Sequence, residues 1–163
     1  MAKYWVCKRA PAMVAEALEC LGGNGYVEES ILPRLYREAP LNSIWEGSGN
    51  VICLDVLRAL QKEPQARDAL VAELRLGRGA DRRLDVALDQ AEAQLESPDE
   101  SGARRLVESL ALALQGSLLV RHSPQAVAGA FCATRTAGDH GYAFGSLPAG
   151  IETGAILERA WPE

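Results

Sequence analysis

The sequence predicts an all-α protein, an antiparallel helical bundle, and three observations carry that expectation. Apolar residues recur at helical spacing, as in Leu84, Leu88, Ala91 and Leu95 and again in Leu106, Leu110, Leu114 and Leu118. No run shows the sustained period-two alternation of a half-buried strand. Proline recurs just ahead of apolar-periodic runs, at Pro11, Pro33, Pro64, Pro98 and Pro124, and the first turn of a helix has no use for the N–H that proline lacks.

Taken in order, Lys3 to Arg9 reads as the tail of an earlier helix, and a new helix is expected from about Pro11 to Leu21. It places Val14, Ala17, Leu18 and Leu21 on one face and is closed by Gly22. A short helix follows Pro33. A stronger one runs from about Ser48 to Lys62 with Val51, Ile52, Val56 and Leu60 among its apolar positions. Past Pro64 come ARDALVAELRL and then the Leu84 to Leu95 stripe. Ser97-Pro98-Asp99-Glu100 has the spacing of a capping box and is expected to open the longest helix, to about Arg121. Ser123-Pro124 starts another, to about Ala137. Asp139 to Gly150 is a Gly-rich loop, and Ile151 to Trp161 makes a short closing helix.

With 163 residues, 48% hydrophobic, the chain can bury an ordinary core. Cys7, Cys20, Cys53 and Cys132 lack CxxC spacing and read as buried thiols of a reducing cytoplasm, with no metal site and no disulfide framework. MAKYWVCKRAPAM carries early charges and no long apolar core, so it is not read as a signal peptide, and no stretch has membrane-spanning length. Net charge is −5; residues 1–61 hold six Lys/Arg against seven Asp/Glu, and 62–163 hold eleven against fifteen. Neither part has the basic excess of a phosphate-binding surface.

One stretch has the makings of a site. In RLYREAPLNSIWEGSGN, Arg34 to Asn50, Glu46 follows Trp45 and precedes the donor-rich turn Gly47-Ser48-Gly49-Asn50, which leads into VICLDVLRAL. Such a turn feeds a helix N-terminus whose free N–H groups bind anions or polar ring edges, with Ser48 as a cap. A carboxylate desolvated against Ile44 and Trp45 would be suited to general-base chemistry. The bland alternative is a solvated loop residue. Gly22-Gly23-Asn24-Gly25 likewise reads as a helix stop and turn, and Trp45 as a core anchor.

Read together, ECLGGNGY at Glu19 to Tyr26, PRLYREA and IWEGSGN resemble, in order, the end of the catalytic body of acyl-CoA dehydrogenases, most like the AidB-like, alkylation-response branch. KYWVCKR and the long run past Leu60 also suit that branch. The resemblance implies an FAD-dependent oxidoreductase that desaturates an acyl-CoA thioester between its α and β carbons, with Glu46 in the aromatic-Glu-Gly-Ser turn as base. It implies Gly22 and Gly23 against the flavin nucleotide, Trp45, Ser48 and Asn50 at the flavin, and Tyr26 and Gly47 at the substrate. Glu19 departs from the family's glutamine at that place, adding negative charge near a pyrophosphate. Arg37-Glu38 resembles a structural Arg-Asp pair.

The same resemblance implies that residues 1–61 end the dehydrogenase C-terminal helical domain and that 62–163 form an additional helical domain, the whole being part of a longer flavoprotein. The chain alone is then expected to be inactive and not to retain FAD. The alternative is a helical assembly or DNA-binding module with little dehydrogenase activity, for which Arg58, Arg75, Arg78, Arg82 and Arg83 are the candidate cations, although Glu73, Asp81 and Asp85 dilute them. His122 and His140 lack partners at metal or triad spacing. Apolar faces on 11–21 and 48–62 point to a homo-oligomer joined through residues 1–60.

Overall fold

The computed structural model describes residues 1–161, and among them the chain is all-helical with no strand. Its helices are α1 (Ala2–Cys20), α2 (Gly23–Tyr26), α3 (Leu32–Glu38), α4 (Gly49–Lys62), α5 (Pro64–Arg75), α6 (Arg82–Glu96), α7 (Ala103–His122), α8 (Gln125–Phe131) and α9 (Thr153–Ala160). A 3-10 segment spans Ala39–Ser43 and a π segment spans Cys132–Thr136. Two compact units result: Met1–Arg58 with Asp99–Glu108, and Ala59–Pro98 with Ser109–Glu163. The last two residues of the second fall outside those described.

In the first unit α1 packs against α2, α3 and the 3-10 segment. Tyr4, Ala39, Cys53 and Leu57 are buried there, and the Arg104 guanidinium lies 5.8 Å from the centroid of the Tyr4 ring. Pro11 does not start a helix. It stands inside α1, which begins at Ala2, so Lys3 to Arg9 belong to that same helix rather than to an earlier one. Proline removes one N–H from the ladder there, and packing along both halves of α1 keeps the helix continuous.

The second unit is built on the stripe that the sequence shows: Leu84, Leu88 and Ala91 are fully buried and Leu95 nearly so. Buried Ser117 donates from Oγ to Glu73 O at 3.1 Å, and Arg121 Nε donates to Ser117 O at 3.0 Å. Arg121 also pairs with the Glu73 carboxylate. The expected capping box at Ser97 is not formed. Asp99 instead accepts from the Gly102 N–H at 2.9 Å, closing a turn that delays α7 until Ala103. In the π segment the Ala137 N–H reaches back five residues to Cys132 O at 2.9 Å. The four thiols are free; Cys53 and Cys132 are buried, whereas Cys7 is half-buried and Cys20 exposed, so burial of all four does not hold.

Candidate functional site

The candidate residues from Gly22 to Asn50 all fall in the first unit, on α2, α4 and the turns beside them, whereas Arg75, Arg78, Arg82 and Arg83 fall in the second. The 3-10 segment ends at Ser43, and the Ile44 and Trp45 N–H groups both donate to Leu41 O, at 2.9 and 3.2 Å. The chain then turns sharply. Glu46 has φ +54°, the one positive φ at a non-glycine among the described residues, and Gly47 follows at +106°. An L-residue holds that conformation only where its surroundings impose it, and such outliers concentrate at functional sites.

Two contacts from α1 meet this turn. The Lys3 ammonium donates to Trp45 O and, at 3.4 Å, to Gly47 O, the carbonyls of the residues before and after Glu46. At Gly49 the backbone comes so close to α1 that an added Cβ would lie 2.6 Å from Lys8 Cε and 3.4 Å from Tyr4 Cε2. Lys3 was not legible as a site residue, because 42 residues separate it from Trp45 and nothing in local spacing links them.

The Glu46 carboxylate is exposed and makes no ion pair among the described residues. Ile44 and Trp45, the side chains expected to desolvate it, are themselves 63% and 56% exposed, so this chain does not supply the apolar wall. Glu46 precedes α4, which begins at Gly49. Ser48 stands exposed just before α4, its carbonyl accepting from the Ile52 N–H at 3.0 Å, and Asn50 is exposed in the first turn.

In the Gly22 to Tyr26 turn the three glycines differ. A Cβ at Gly25 would strike Leu18 O at 2.1 Å, whereas one at Gly22 or Gly23 would meet nothing within 4 Å. Packing therefore requires Gly25, while the backbone at Gly22 and Gly23 is open to an approaching group. The open backbone at Gly22 and Gly23 and the exposed polar side chains of Ser48 and Asn50 are of the kinds that suit a flavin nucleotide. Glu19, also exposed, is the one carboxylate of that turn.

Tyr26 is 73% exposed and lines a cleft of about 420 Å³ with Leu18, Val27, Pro33 and Tyr36. At its margin Arg37 grips Glu28 with both terminal nitrogens, at 2.5 and 3.2 Å, and holds that carboxyl below its usual range. Arg37 thus pairs with Glu28, while Glu38 accepts from Arg34 Nε at 2.9 Å.

The candidate nucleic-acid cations are largely compensated. Arg58 pairs with Asp55 at 2.6 Å, Arg75 with Glu92 at 2.6 Å, Arg78 with Asp89 at 2.8 Å and Arg83 with Asp81 at 2.6 Å. Arg82 alone of the five has no ion pair among the described residues. Phosphate binding would have to break those pairs. No cluster of metal-ligating side chains and no helix long and apolar enough to cross a membrane occurs among the described residues.

Residues 1–61 match the family model for the C-terminal domain of acyl-CoA dehydrogenases. The chain is 47% identical over 131 residues to the putative acyl-CoA dehydrogenase AidB of Escherichia coli (strain K12), covering 80% of this chain and 24% of that protein. Acyl-CoA dehydrogenase family member 11 of Caenorhabditis elegans is 35% identical over 114 residues, 70% of this chain and 18% of its own. The crystal structure of Caenorhabditis elegans ACDH-11 in complex with C11-CoA superposes with a TM-score of 0.65 at 29% identity, over 82% of this chain and 28% of that one. The chain thus spans about a quarter of the length of these relatives. An alignment of 131 residues outruns the family match at residue 61, so the AidB likeness continues past the dehydrogenase domain.

Proposed function

We propose, from the premise that residues 1–61 are the end of an acyl-CoA dehydrogenase C-terminal domain, that this chain is part of an FAD-dependent oxidoreductase that desaturates an acyl-CoA thioester between its α and β carbons. Residues 62–163 are on this reading an additional helical domain of the same protein. The carrying observation is Glu46: the family's base position is held here by a residue with left-handed backbone and a carboxylate free of any ion pair among the described residues. A general base needs a free lone pair within reach of the proton it takes, and no cation competes for this carboxylate among the described residues.

FAD, when bound, supplies the acceptor for the hydride that leaves the β carbon. Glu46 takes the α proton, so both C–H bonds are accounted for and a double bond forms between the two carbons. The desolvation that Ile44 and Trp45 do not provide has to come from the bound flavin and thioester. Gly22 and Gly23 leave backbone open for the nucleotide, Ser48 and Asn50 supply donors, and Trp45, 56% exposed, has a ring face free to pack beside the flavin. Gly47 lets the thioester approach, and Tyr26 in its apolar cleft is assigned to the acyl chain. That the structurally similar ACDH-11 was crystallised with C11-CoA supports an acyl-CoA partner.

Glu46→Gln in the complete protein removes the base and keeps the shape. Flavin reduction on mixing with acyl-CoA is expected to slow by about 10²–10⁴-fold, the usual cost of losing a general base. Unchanged reduction kinetics would place the base on another residue.

A further inference from the structure

Each described hydrogen bond of the Lys3 ammonium ends on the turn that carries Glu46. One goes to Trp45 O and the other, at 3.4 Å, to Gly47 O. An ammonium has three donors and no acceptor, so it can gather two carbonyl oxygens that would otherwise repel one another. With φ at +54° for Glu46 and +106° for Gly47, the carbonyl oxygens of Trp45 and Gly47, the residues before and after Glu46, both reach this one cation. The turn has little else to hold it on its outer side, since Ile44 and Trp45 are mostly exposed. Lys3 forms no ion pair with the Glu46 carboxylate among the described residues, so it fixes the backbone and leaves the acid free.

We propose that Lys3 is a positioning residue for Glu46: by bonding the carbonyls of Trp45 and Gly47 it clamps the turn across Glu46 and keeps Glu46 in the left-handed conformation that aims its carboxylate at the substrate. This rests on the reading of Glu46 as base, but the backbone effect is measurable without it. In this chain, the Cα and Cβ chemical shifts and the HN–Hα coupling of Glu46 report its φ by NMR. Lys3→Met is expected to remove the left-handed signature at Glu46 while the α4 amide signals persist, and Lys3→Arg, which keeps a charged donor, to restore it. Lys3→Gln offers a neutral donor of similar reach should Lys3→Met fail to fold, and is expected to restore the signature only in part. Glu46 remaining left-handed in Lys3→Met, or fully so in Lys3→Gln if the Met variant does not fold, overturns the proposal.

In the complete flavoprotein, Lys3→Met is expected to slow flavin reduction at saturating acyl-CoA by about 10- to 100-fold, the scale of a misplaced reacting group, with KM nearly constant and Lys3→Arg recovering most of the rate. A displaced Glu46 with an unchanged rate would overturn the positioning role. If Glu46→Gln leaves reduction unchanged, the base assignment fails instead, and the NMR comparison still decides whether Lys3 holds the turn.

Discussion

Gly23 and Gly25 stand two residues apart in one turn and answer to different constraints. A Cβ at Gly25 collides with the Leu18 carbonyl, a backbone atom that cannot swing aside, whereas one at Gly23 points into open space. Gly25→Ala is therefore expected to destabilise the fold by about 1–3 kcal/mol or more through overpacking, visible as a lower Tm. Gly23→Ala is expected to leave the Tm nearly unchanged yet to weaken FAD retention in the complete protein. Equal Tm losses in both variants would contradict the assignment. Thiols make a second residue-scale test: a disulfide-exchange reagent should label exposed Cys20 first and reach Cys132 only on unfolding, since burial pushes the Cys132 thiol up to about 11. Neither distinction is visible in the sequence, where Gly-Gly-Asn-Gly and four scattered cysteines look alike.

At the element scale, Asp81 carries α6. Its Oδ1 accepts from the Arg83 N–H at 2.8 Å, and the Arg83 side chain and backbone together hold the Asp81 carboxyl below its ordinary 3.8. Asp81→Ala is expected to cost about 1 kcal/mol, the usual worth of an N-cap, and Asp81→Asn much less. A carboxyl whose folded pKa is depressed stabilises above its unfolded value and loses that contribution as pH falls through the folded one. Urea melts should therefore show wild type losing stability below about pH 4, with a shallower acid slope in Asp81→Asn. The α6 stripe was fully legible because packing follows period 3.6 directly, and Leu84, Leu88, Ala91 and Leu95 line it. Pro11 was misread since proline suits a first turn but does not forbid an interior one when tertiary contacts hold both halves. The Ser97 box failed because Asp99 bonds Gly102 and tightens its own turn first. For the site, the resemblance points to Glu46, but its left-handed φ and the Lys3 contact come from tertiary structure and had no local signal.

For the whole molecule the uneven distribution of apolar surface decides what to expect. Val6 and Met13 on α1, Tyr26 and Ile31 beyond it, Leu35 and Tyr36 on α3, and Leu41, Ile44 and Trp45 after it are all 41–73% exposed, within the first 60 residues. Exposed apolar patches beyond a few hundred Å² are uncommon on monomers. At about 25 cal/mol per Å² even a patch of that size repays burial by several kcal/mol. The chain is therefore expected to self-associate through residues 1–60, and sedimentation across a dilution series should show a dimer or larger species that dissociates on dilution. Leu35→Asp places a charge in that surface and should shift the midpoint to at least tenfold higher concentration. Leu157→Asp, on α9 and 67% exposed, should not. A chain that stays monomeric at high concentration, or equal effects from both substitutions, would remove the case for this face. The same exposure bears on the cofactor: Gly22, Gly23 and Asn50 are exposed, so on the proposed reading this chain offers a flavin nucleotide one open edge and is expected not to retain FAD after purification. Stoichiometric flavin absorbance in the purified chain would mean that these residues enclose far more of the nucleotide than an exposed edge can.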